Sequence, residues 1–389
     1  MEQNYRHLWY VAIFRMTRSV AAGMISIAFP YLILTTLHRS PFVLGLLYMT
    51  AAVATAVFGL LFGFLADTWG KRNTLALVGL MLPVSSLLVY FSGHLAVLFV
   101  ACVVGGYSAT GSLMGGGVGG AAAPIQIVVL ADLTTPERRT VIISLFTFLS
   151  GLFAALGALV ERSFTVQQAF GAATWISGIG MLCLLPLQLS ESRGDLRRLE
   201  SKRVIGKFTL TGALNGFSQG LITPFLIPFF VIVYHLPRSQ MSIYGFISGL
   251  LGAVALLAAP MLERRLGFVK SIAFTRGLGA ALLLVMPLTR LVGLALLIYM
   301  LTPALRVMAL PVQQTAMTGM VSEAEVGRAL GINQVARLAA SSGAISLTGY
   351  LFDASDIAAP FFIYGAIMAV NICLYFRFFH SPAVQENSA

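Results

Sequence analysis

Five arginines interrupt the apolar runs of this 389-residue sequence: Arg15, Arg18, Arg276, Arg306 and Arg337. A charge in such surroundings is costly unless it faces a partner, water or a ligand. Arg306 lies between Pro303 and Pro311, and Gln313 follows two helical turns further along the same face. A guanidinium without a carboxylate partner suits an anionic or carboxylate-bearing ligand, which it binds through charge-assisted hydrogen bonds. An equal alternative is that Arg306 bonds backbone carbonyls freed by the two prolines, or that it lies nearer one face of the membrane.

Composition decides what kind of chain must position these arginines. Hydrophobic residues make up 58%, charged residues 10%, and the mean hydropathy is +0.88. A soluble domain carries nearer a quarter charged residues. Strand-like alternation of apolar and polar residues is not seen, which argues against a β-barrel. The sequence therefore predicts an all-α integral membrane protein.

Apolar runs of about 20 residues, the length that crosses a bilayer, predict twelve transmembrane helices. We number them as spans 1 to 12, and they cover Leu8–Leu37, Pro41–Ala66, Leu75–Phe91, Leu95–Leu130, Val141–Leu159, Ala169–Leu189, Phe208–Tyr234, Ser242–Leu262, Ser271–Leu288, Val292–Met320, Ala329–Phe352 and Ala358–Phe379. The first span is longer than the apolar core of a signal peptide, and no convincing cleavage site follows it.

Charge distribution orients the spans. Of the 25 Lys and Arg residues, sixteen fall in segments on the side of the two chain termini and four, Arg39, Arg162, Arg238 and Arg290, fall on the other side. This positive-inside asymmetry predicts that both termini are cytoplasmic. It also argues against a nucleic-acid partner, although the net charge is +11. None of the fourteen acidic residues is predicted at mid-membrane, so the usual carboxylate of a proton-coupled transporter is not visible.

The chain divides into two similar halves. The predicted units are a six-helix bundle at 1–190, a charged linker at 191–207, a second six-helix bundle at 208–380 and a tail at 381–389. Asp67 after span 2 corresponds to Glu263 after span 8, and Pro124-Ile-Gln126 in span 4 corresponds to Pro311-Val-Gln313 in span 10. These matches predict two pseudo-symmetric bundles. The glycines of Gly115–Gly120 fit a dinucleotide pattern, but without a preceding strand they favour helix packing or a hinge.

Three motifs carry a resemblance to a known family. They are Gly63-x-x-x-Asp67-x-x-Gly70-Lys71-Arg72 after span 2, Asp132 to Arg139 after span 4, and Glu325-Val-Gly327-Arg328 at the start of span 11. Together they resemble the major facilitator superfamily, whose members are secondary transporters with two six-helix halves. The resemblance covers essentially the whole chain, but these motifs are shared by importers and exporters.

The resemblance implies a latch on the side of the termini. Asp67 is expected to face the start of span 11 near Gly327, where the helix dipole favours an anion. Arg72 is expected to pair with Asp132, while Gly63 and Gly70 allow close packing and a tight turn. The other members of the expected gate are Lys71, Arg138 and Arg328. The alternative is a solvated loop without a gating role.

The resemblance also implies that spans 1, 4, 7 and 10 line a central cavity. The polar face of span 7, with Asn215, Ser218 and Gln219, then orients a substrate or bonds neighbouring helices. Arg337 and Asn333 share one face of span 11, where a structural role is favoured, and Arg15 and Arg18 are expected to reach the membrane interface rather than the cavity mouth. The candidate substrate contacts are Arg306, Gln313, Gln126, Asn215, Gln219, Asn333, Arg337 and Arg18.

The expected function is secondary transport by alternating access, with efflux of small amphipathic or anionic organic compounds as the favoured direction. The alternatives are uptake or exchange of an organic anion and, in another class, a non-transporting membrane sensor or scaffold. No phosphate-binding loop, cofactor motif or catalytic cluster is found, so we expect no enzyme activity, no cofactor and no metal. The coupling ion is open. The expected setting is the prokaryotic inner membrane, as a monomer in contact with lipid and a small-molecule substrate.

Overall fold

A computed structural model describes residues 2–107, 125–126, 129–130, 133–134, 136–187, 201–321 and 326–379. All regular secondary structure in these ranges is helical. The glycine-rich segment of span 4, Asp132 and the predicted linker from 191 to 200 lie outside the described residues. The boundaries proposed for the linker and the tail therefore stay predictions.

Each half contributes six helical segments. In the first half the α-helices are Glu2–Tyr31, Pro41–Thr68, Lys71–Phe91, Leu95–Gly105, Pro136–Glu161 and Val166–Leu182. A π-helical turn, Leu32–Thr36, extends span 1. In the second half they are Lys202–Ile222 and Leu226–Val233, which together form span 7, followed by Arg238–Leu266, Phe268–Val285, Val292–Met320, Val326–Asp353 and Ala359–Phe379. The all-α membrane architecture predicted from the sequence is confirmed.

Nine helices of the described residues are long and apolar enough to cross a membrane. The other three spans fall short of that standard for different reasons. Only 11 residues of span 4 form a continuous described helix, and span 6 has 17 residues. Span 11 has 28 residues but carries the polar side chains of Asn333, Gln334 and Arg337. The twelve segments retain the expected order.

Helix packing repeats between the halves with an offset of six spans. In the first half, span 1 packs on spans 5 and 6, span 3 packs on spans 4 and 6, and span 2 packs on span 4. The second half repeats every one of these pairs as 7 with 11 and 12, 9 with 10 and 12, and 8 with 10. Positive-φ glycines make the matching turns, Gly70 (φ 93°) between spans 2 and 3 and Gly267 (φ 74°) between spans 8 and 9. Two pseudo-symmetric bundles result.

The halves meet through spans 2 and 11 and through spans 5 and 8. We call the side of residues 2 and 379 the termini side, and the other the opposite side. On the opposite side, a Cβ built on Gly45 would lie 3.0 Å from Gly349 Cα, so spans 2 and 11 touch through their backbones. Phe42 stacks edge-on against Tyr350, with ring centroids 6.3 Å apart, next to this crossing. The halves are thus closed together on the opposite side.

Polar contacts reinforce this closure. The Arg238 guanidinium forms an ion pair with the Glu161 carboxylate and also donates to the Phe164 carbonyl. The Ser242 hydroxyl donates to Glu161 Oε2 at 2.7 Å, and the Tyr31 hydroxyl donates to the Leu236 carbonyl at 2.7 Å. These bonds join spans 1 and 5 of one half to the beginning of span 8 and its preceding loop.

Candidate functional site

Span 7 is broken at Pro224. Pro224 lacks an amide hydrogen, and the helix that ends at Ile222 passes into a 3-10 turn, Thr223–Phe225, before it resumes at Leu226. The Thr223 hydroxyl at this break accepts a hydrogen bond from Arg306 Nη1. The break therefore provides a polar partner for Arg306. This partner is a side-chain hydroxyl, whereas the alternative considered from the sequence was a bond to backbone carbonyls.

Arg306 lines a cavity enclosed by spans 7, 9, 10, 11 and 12, which we call the C-half cavity. Its polar lining residues are Asn215, Gln219, Thr223, Thr275, Arg276, Thr302, Arg306, Arg337, Ser341 and Tyr364. Three guanidinium groups thus line one cavity. None of the described lining residues is acidic. The cavity is suited to an anion.

Neutral groups hold Arg276 in place. Its Nη1 donates to Asn371 Oδ1 at 2.5 Å, and its Nη2 donates to Gln313 Oε1 at 2.8 Å. The guanidinium also lies over the Tyr375 ring, 4.8 Å from the centroid. Asn371 in turn donates to the Thr211 carbonyl at 2.8 Å. Each of these partners is neutral, so the charge of Arg276 is oriented without being cancelled.

The sequence did not assign a role to Arg276, yet the structure places it in the cavity wall. The available signal was the helical spacing of small and polar residues in span 9, where Thr275, Arg276 and Gly279 all face the cavity. Conversely, Gln313 is not a cavity residue. It shares a helical face with Arg306 in the sequence, but its side chain binds Arg276 within the bundle.

Glycines bring span 11 against span 7. A Cβ on Gly216 would lie 2.1 Å from the Arg337 carbonyl oxygen, and one on Gly220 would lie 2.3 Å from the Ser341 carbonyl oxygen. This backbone contact places Arg337 at the cavity, where its Nη2 donates to Gln334 Oε1 at 2.7 Å. Asn333 lies one turn away against Gly212, and its amide donates to the Phe208 carbonyl at 2.6 Å. Asn333 joins the two helices and does not line the cavity.

The first half holds its arginines in helix packing. Arg15 donates to the Ser150 hydroxyl and to Gln126 Oε1, the latter at 3.2 Å. Arg18 donates to the carbonyls of Val78 and Gly79 at 3.1 and 3.3 Å. Both arginines are buried, at 7% and 6% exposure. The expectation that they reach the membrane interface is wrong, because these partners lie within the bundle, and neither Arg18 nor Gln126 lines the C-half cavity.

A second cavity lies between the halves, and we call it the interface cavity. Its first-half wall consists of Ala22, Gly23, Ser26, Ile27, Tyr48, Ala154, Ala155 and Ala158. Its other wall includes Ser248 and Tyr299, and Thr223 and Arg306 line both cavities. Arg306 therefore stands where the C-half cavity meets the boundary between the halves.

The expected gate is only partly described. Gly63 and Asp67 lie in the last turns of span 2, Arg138 lies in the first turn of span 5, and Gly327 and Arg328 begin span 11. The side chain of Lys71 is 5% exposed. Arg72 donates to the Leu185 carbonyl at 2.8 Å, and its expected partner Asp132 is outside the described ranges. The latch stays a prediction.

No group of three or more His, Cys, Asp or Glu side chains in the described ranges could hold a metal ion. His, Cys and carboxylate side chains are the common protein ligands of transition metals. The described part of the cavity therefore presents guanidinium, amide and hydroxyl groups, which recognise ligands through hydrogen bonds and charge.

Several solved structures of transporters have a similar fold. The nucleoside transporter NupG, in a mutant form, aligns with a TM-score of 0.77 and 12% identity over 96% of this chain and 100% of its own. The xylose transporter XylE from E. coli, in a partially occluded inward open conformation, gives 0.74 and 13% over 97% and 98%. The human organic anion transporter MFSD10 gives 0.68 and 14% over 96% and 99%.

A search of curated proteins finds no match. A family model does match, and its description is Major Facilitator Superfamily. The match runs from residue 11 to residue 310, through both halves and through Arg306. The repeated packing of spans 1–6 and 7–12, the transporter folds it resembles and this match agree: the chain is a multi-pass membrane protein that belongs to the Major Facilitator Superfamily of transporters.

Proposed function

We propose that this transporter moves small anionic organic compounds, amphipathic ones included, by alternating access, and that it exports them. The observation that carries the proposal is the convergence of Arg276, Arg306 and Arg337 on one cavity whose described lining contains no carboxylate. A charged side chain within a bilayer costs at least about 2.5–3.5 kcal/mol. Three such charges in one place are most readily explained by a ligand that carries the opposite charge.

Arg306 is the proposed primary contact. Among the described residues it has one hydrogen-bond acceptor, Thr223, and a guanidinium has five N–H donors. It therefore keeps donors for a carboxylate or another anionic group. Its position in both cavities also links ligand binding to the boundary between the halves, which must move in alternating access.

The closed contacts on the opposite side support a specific state of the cycle. Because the positive-inside asymmetry predicts cytoplasmic termini, we assign the described structure to a state that is closed to the outside. In this state the C-half cavity receives substrate from the cytoplasm, as efflux requires. Three of the similar solved structures are described as inward-facing or inward open, which agrees with this assignment.

The cellular setting follows from the same reasoning. We propose the inner membrane of a prokaryote and a monomer as the working unit, since each chain holds both halves that alternating access requires. The coupling ion stays open. The buried Glu161 is the last residue of span 5 and lies on the opposite side, and it does not line the C-half cavity. The described residues therefore offer no mid-membrane carboxylate for proton coupling.

Transport in proteoliposomes tests the proposal. Purified protein is reconstituted, and the movement of radiolabelled organic anions is measured in both directions, with and without a proton gradient. Arg306→Gln should abolish transport and Arg306→Lys should retain part of it, since lysine keeps the charge but lacks the bidentate fork. Arg290→Gln, at an exposed site in the loop after span 9, is the matched control.

Each outcome separates one reading from another. If the organic anion is transported only in the uptake direction, the result favours uptake over efflux. If its transport requires a counter-anion, the result favours exchange. Binding of an organic anion without any flux favours a sensor. Equal transport by wild type and Arg306→Gln contradicts the proposal that the anion binds at Arg306.

A further inference from the structure

Two buried polar groups in the C-half cavity have no hydrogen-bond partner among the described residues. They are Asn215 Oδ1 and Ser341 Oγ, in side chains that are 4% and 1% exposed. Both residues line the cavity. Burying an unpaired polar group costs about 1–3 kcal/mol, and native proteins rarely tolerate it. These atoms therefore point to a ligand that completes their bonding.

Close helix packing fixes the two groups beside the arginines. Asn215 precedes Gly216, which touches the Arg337 backbone, and Gly220 touches the backbone of Ser341. Since backbone contacts hold spans 7 and 11 together, neither group can turn away by a shift of its helix. One ligand in the cavity can then contact a guanidinium and these two groups at the same time.

The chemistry of the groups defines what the ligand must offer. An amide oxygen accepts a hydrogen bond, and a serine hydroxyl accepts or donates one. An ammonium donor would be repelled by the three guanidinium groups nearby, so a neutral donor is required. A hydroxyl group satisfies both residues, and it satisfies Asn215 in either orientation of the amide because it donates and accepts.

We infer that the substrate is a hydroxylated organic anion. This inference rests on the proposed function: the anionic group binds at Arg306 and Arg337, and one or more hydroxyl groups on neighbouring carbons bond Asn215 Oδ1 and Ser341 Oγ. The same wall carries further groups suited to hydroxyls, those of Gln219, Thr302 and Tyr364. The anionic group is a carboxylate or a phosphate, and the experiment separates the two.

Matched ligand pairs that differ only in their hydroxyl groups provide the test. The pairs are malate and succinate, gluconate and hexanoate, and glycerol 3-phosphate and propyl phosphate. Binding to the purified full-length protein is measured by calorimetry, and each compound is tested as a competitor of the others. In at least one pair, the hydroxylated member should bind about tenfold or more tightly than its partner, the effect of one hydrogen bond to a buried group.

Variants connect the preference to the two residues. Asn215→Ala and Ser341→Ala should each reduce the affinity ratio within a ligand pair to about threefold or less, because the hydroxylated compound binds more weakly. The affinity for the compound without hydroxyls should stay within about twofold of wild type. Ser346→Ala is the matched control, since this serine lies on the same helix, is partly exposed and bonds the backbone of its own helix at Gly343. It should leave the preference unchanged.

Three results overturn the inference in different ways. If both members of every pair bind equally, and Asn215→Ala changes neither, the hydroxyl contact is wrong while the anion site stands. If no compound binds, or if Arg306→Gln binds every compound as wild type does, the anion site and the hydroxyl contact fail together. A preference that survives in both Asn215→Ala and Ser341→Ala assigns hydroxyl recognition to other residues and also overturns the inference.

Discussion

Glu161 and Arg238 form an ion pair across the boundary between the halves. Glu161 is the last residue of span 5 in the first half, and its side chain is fully buried. Arg238 is the first residue of span 8 in the second half, and 18% of its side chain is exposed. Ser242 adds a second hydrogen bond to the carboxylate. A buried carboxylate that loses its partner is strongly destabilised. The pair therefore favours the closed arrangement of the opposite side.

Glu161→Gln should shift the protein toward the state that is open on the opposite side. The amide keeps a weaker hydrogen bond but removes the charge, so the closed state loses about 1–3 kcal/mol. Labelling of a cysteine introduced at Tyr48, in the interface cavity, should become faster from the opposite side. Asp353→Asn is the control because Asp353 is an exposed carboxylate on the same side. An unchanged labelling rate in Glu161→Gln would show that the pair does not stabilise the closure.

Gly349→Val should have a similar effect through packing. A Cβ at Gly349 would lie 3.0 Å from Gly45 Cα and 3.0 Å from the Pro41 carbonyl, so a branched side chain must separate spans 2 and 11. We expect faster labelling from the opposite side and a lower melting temperature. Gly343→Val, six residues earlier on the same helix, has nothing within 4 Å of the added Cβ and is the control. Equal behaviour of the two variants would contradict a tight crossing at Gly349.

Arg276→Gln should destabilise the second half. Its charged donors satisfy Asn371 and Gln313, and the guanidinium packs on Tyr375. Loss of these contacts should cost about 2–4 kcal/mol, which thermal unfolding in detergent can measure as a lower melting temperature. Lys270→Gln on the same helix is exposed and serves as the control. If the melting temperature stays at the wild-type value and only ligand affinity falls, Arg276 acts on the ligand alone.

Much of the fold could be predicted because membrane helices have a simple signature. Span 10 was predicted as Val292–Met320 and is observed with the same ends. Two differences lie where helices carry charge: span 3 begins at Lys71 rather than Leu75, and span 8 runs from Arg238 to Leu266 rather than from Ser242 to Leu262. Hydropathy does not register charged turns that extend beyond the apolar core of a helix.

The site was harder to predict because its contacts are long-range. Arg306, Arg337, Asn215 and Gln219 were named from the sequence and do line one cavity. Helical spacing could not show that Gln313 serves Arg276, 37 positions away, or that Arg306 bonds the hydroxyl of Thr223 at the break in span 7. Such partners depend on how neighbouring helices are rotated, which one sequence does not reveal.

The predicted latch on the termini side should affect the labelling rate in the opposite direction to the Glu161–Arg238 pair. If Asp67 stabilises closure on that side by facing the N-terminus of span 11, Asp67→Asn should weaken that closure by about 0.3–1 kcal/mol. Labelling of the cysteine at position 48 should then become slower from the opposite side, whereas Glu161→Gln should make it faster.

The double variant, Asp67→Asn with Glu161→Gln, should return the rate toward wild type, because the two changes act on opposite ends of one two-state equilibrium. Asp353→Asn again controls for loss of a negative charge. A rate in Asp67→Asn that equals the wild-type rate would leave the loop as a solvated turn, and a faster rate would mean that Asp67 stabilises the same state as the Glu161–Arg238 pair.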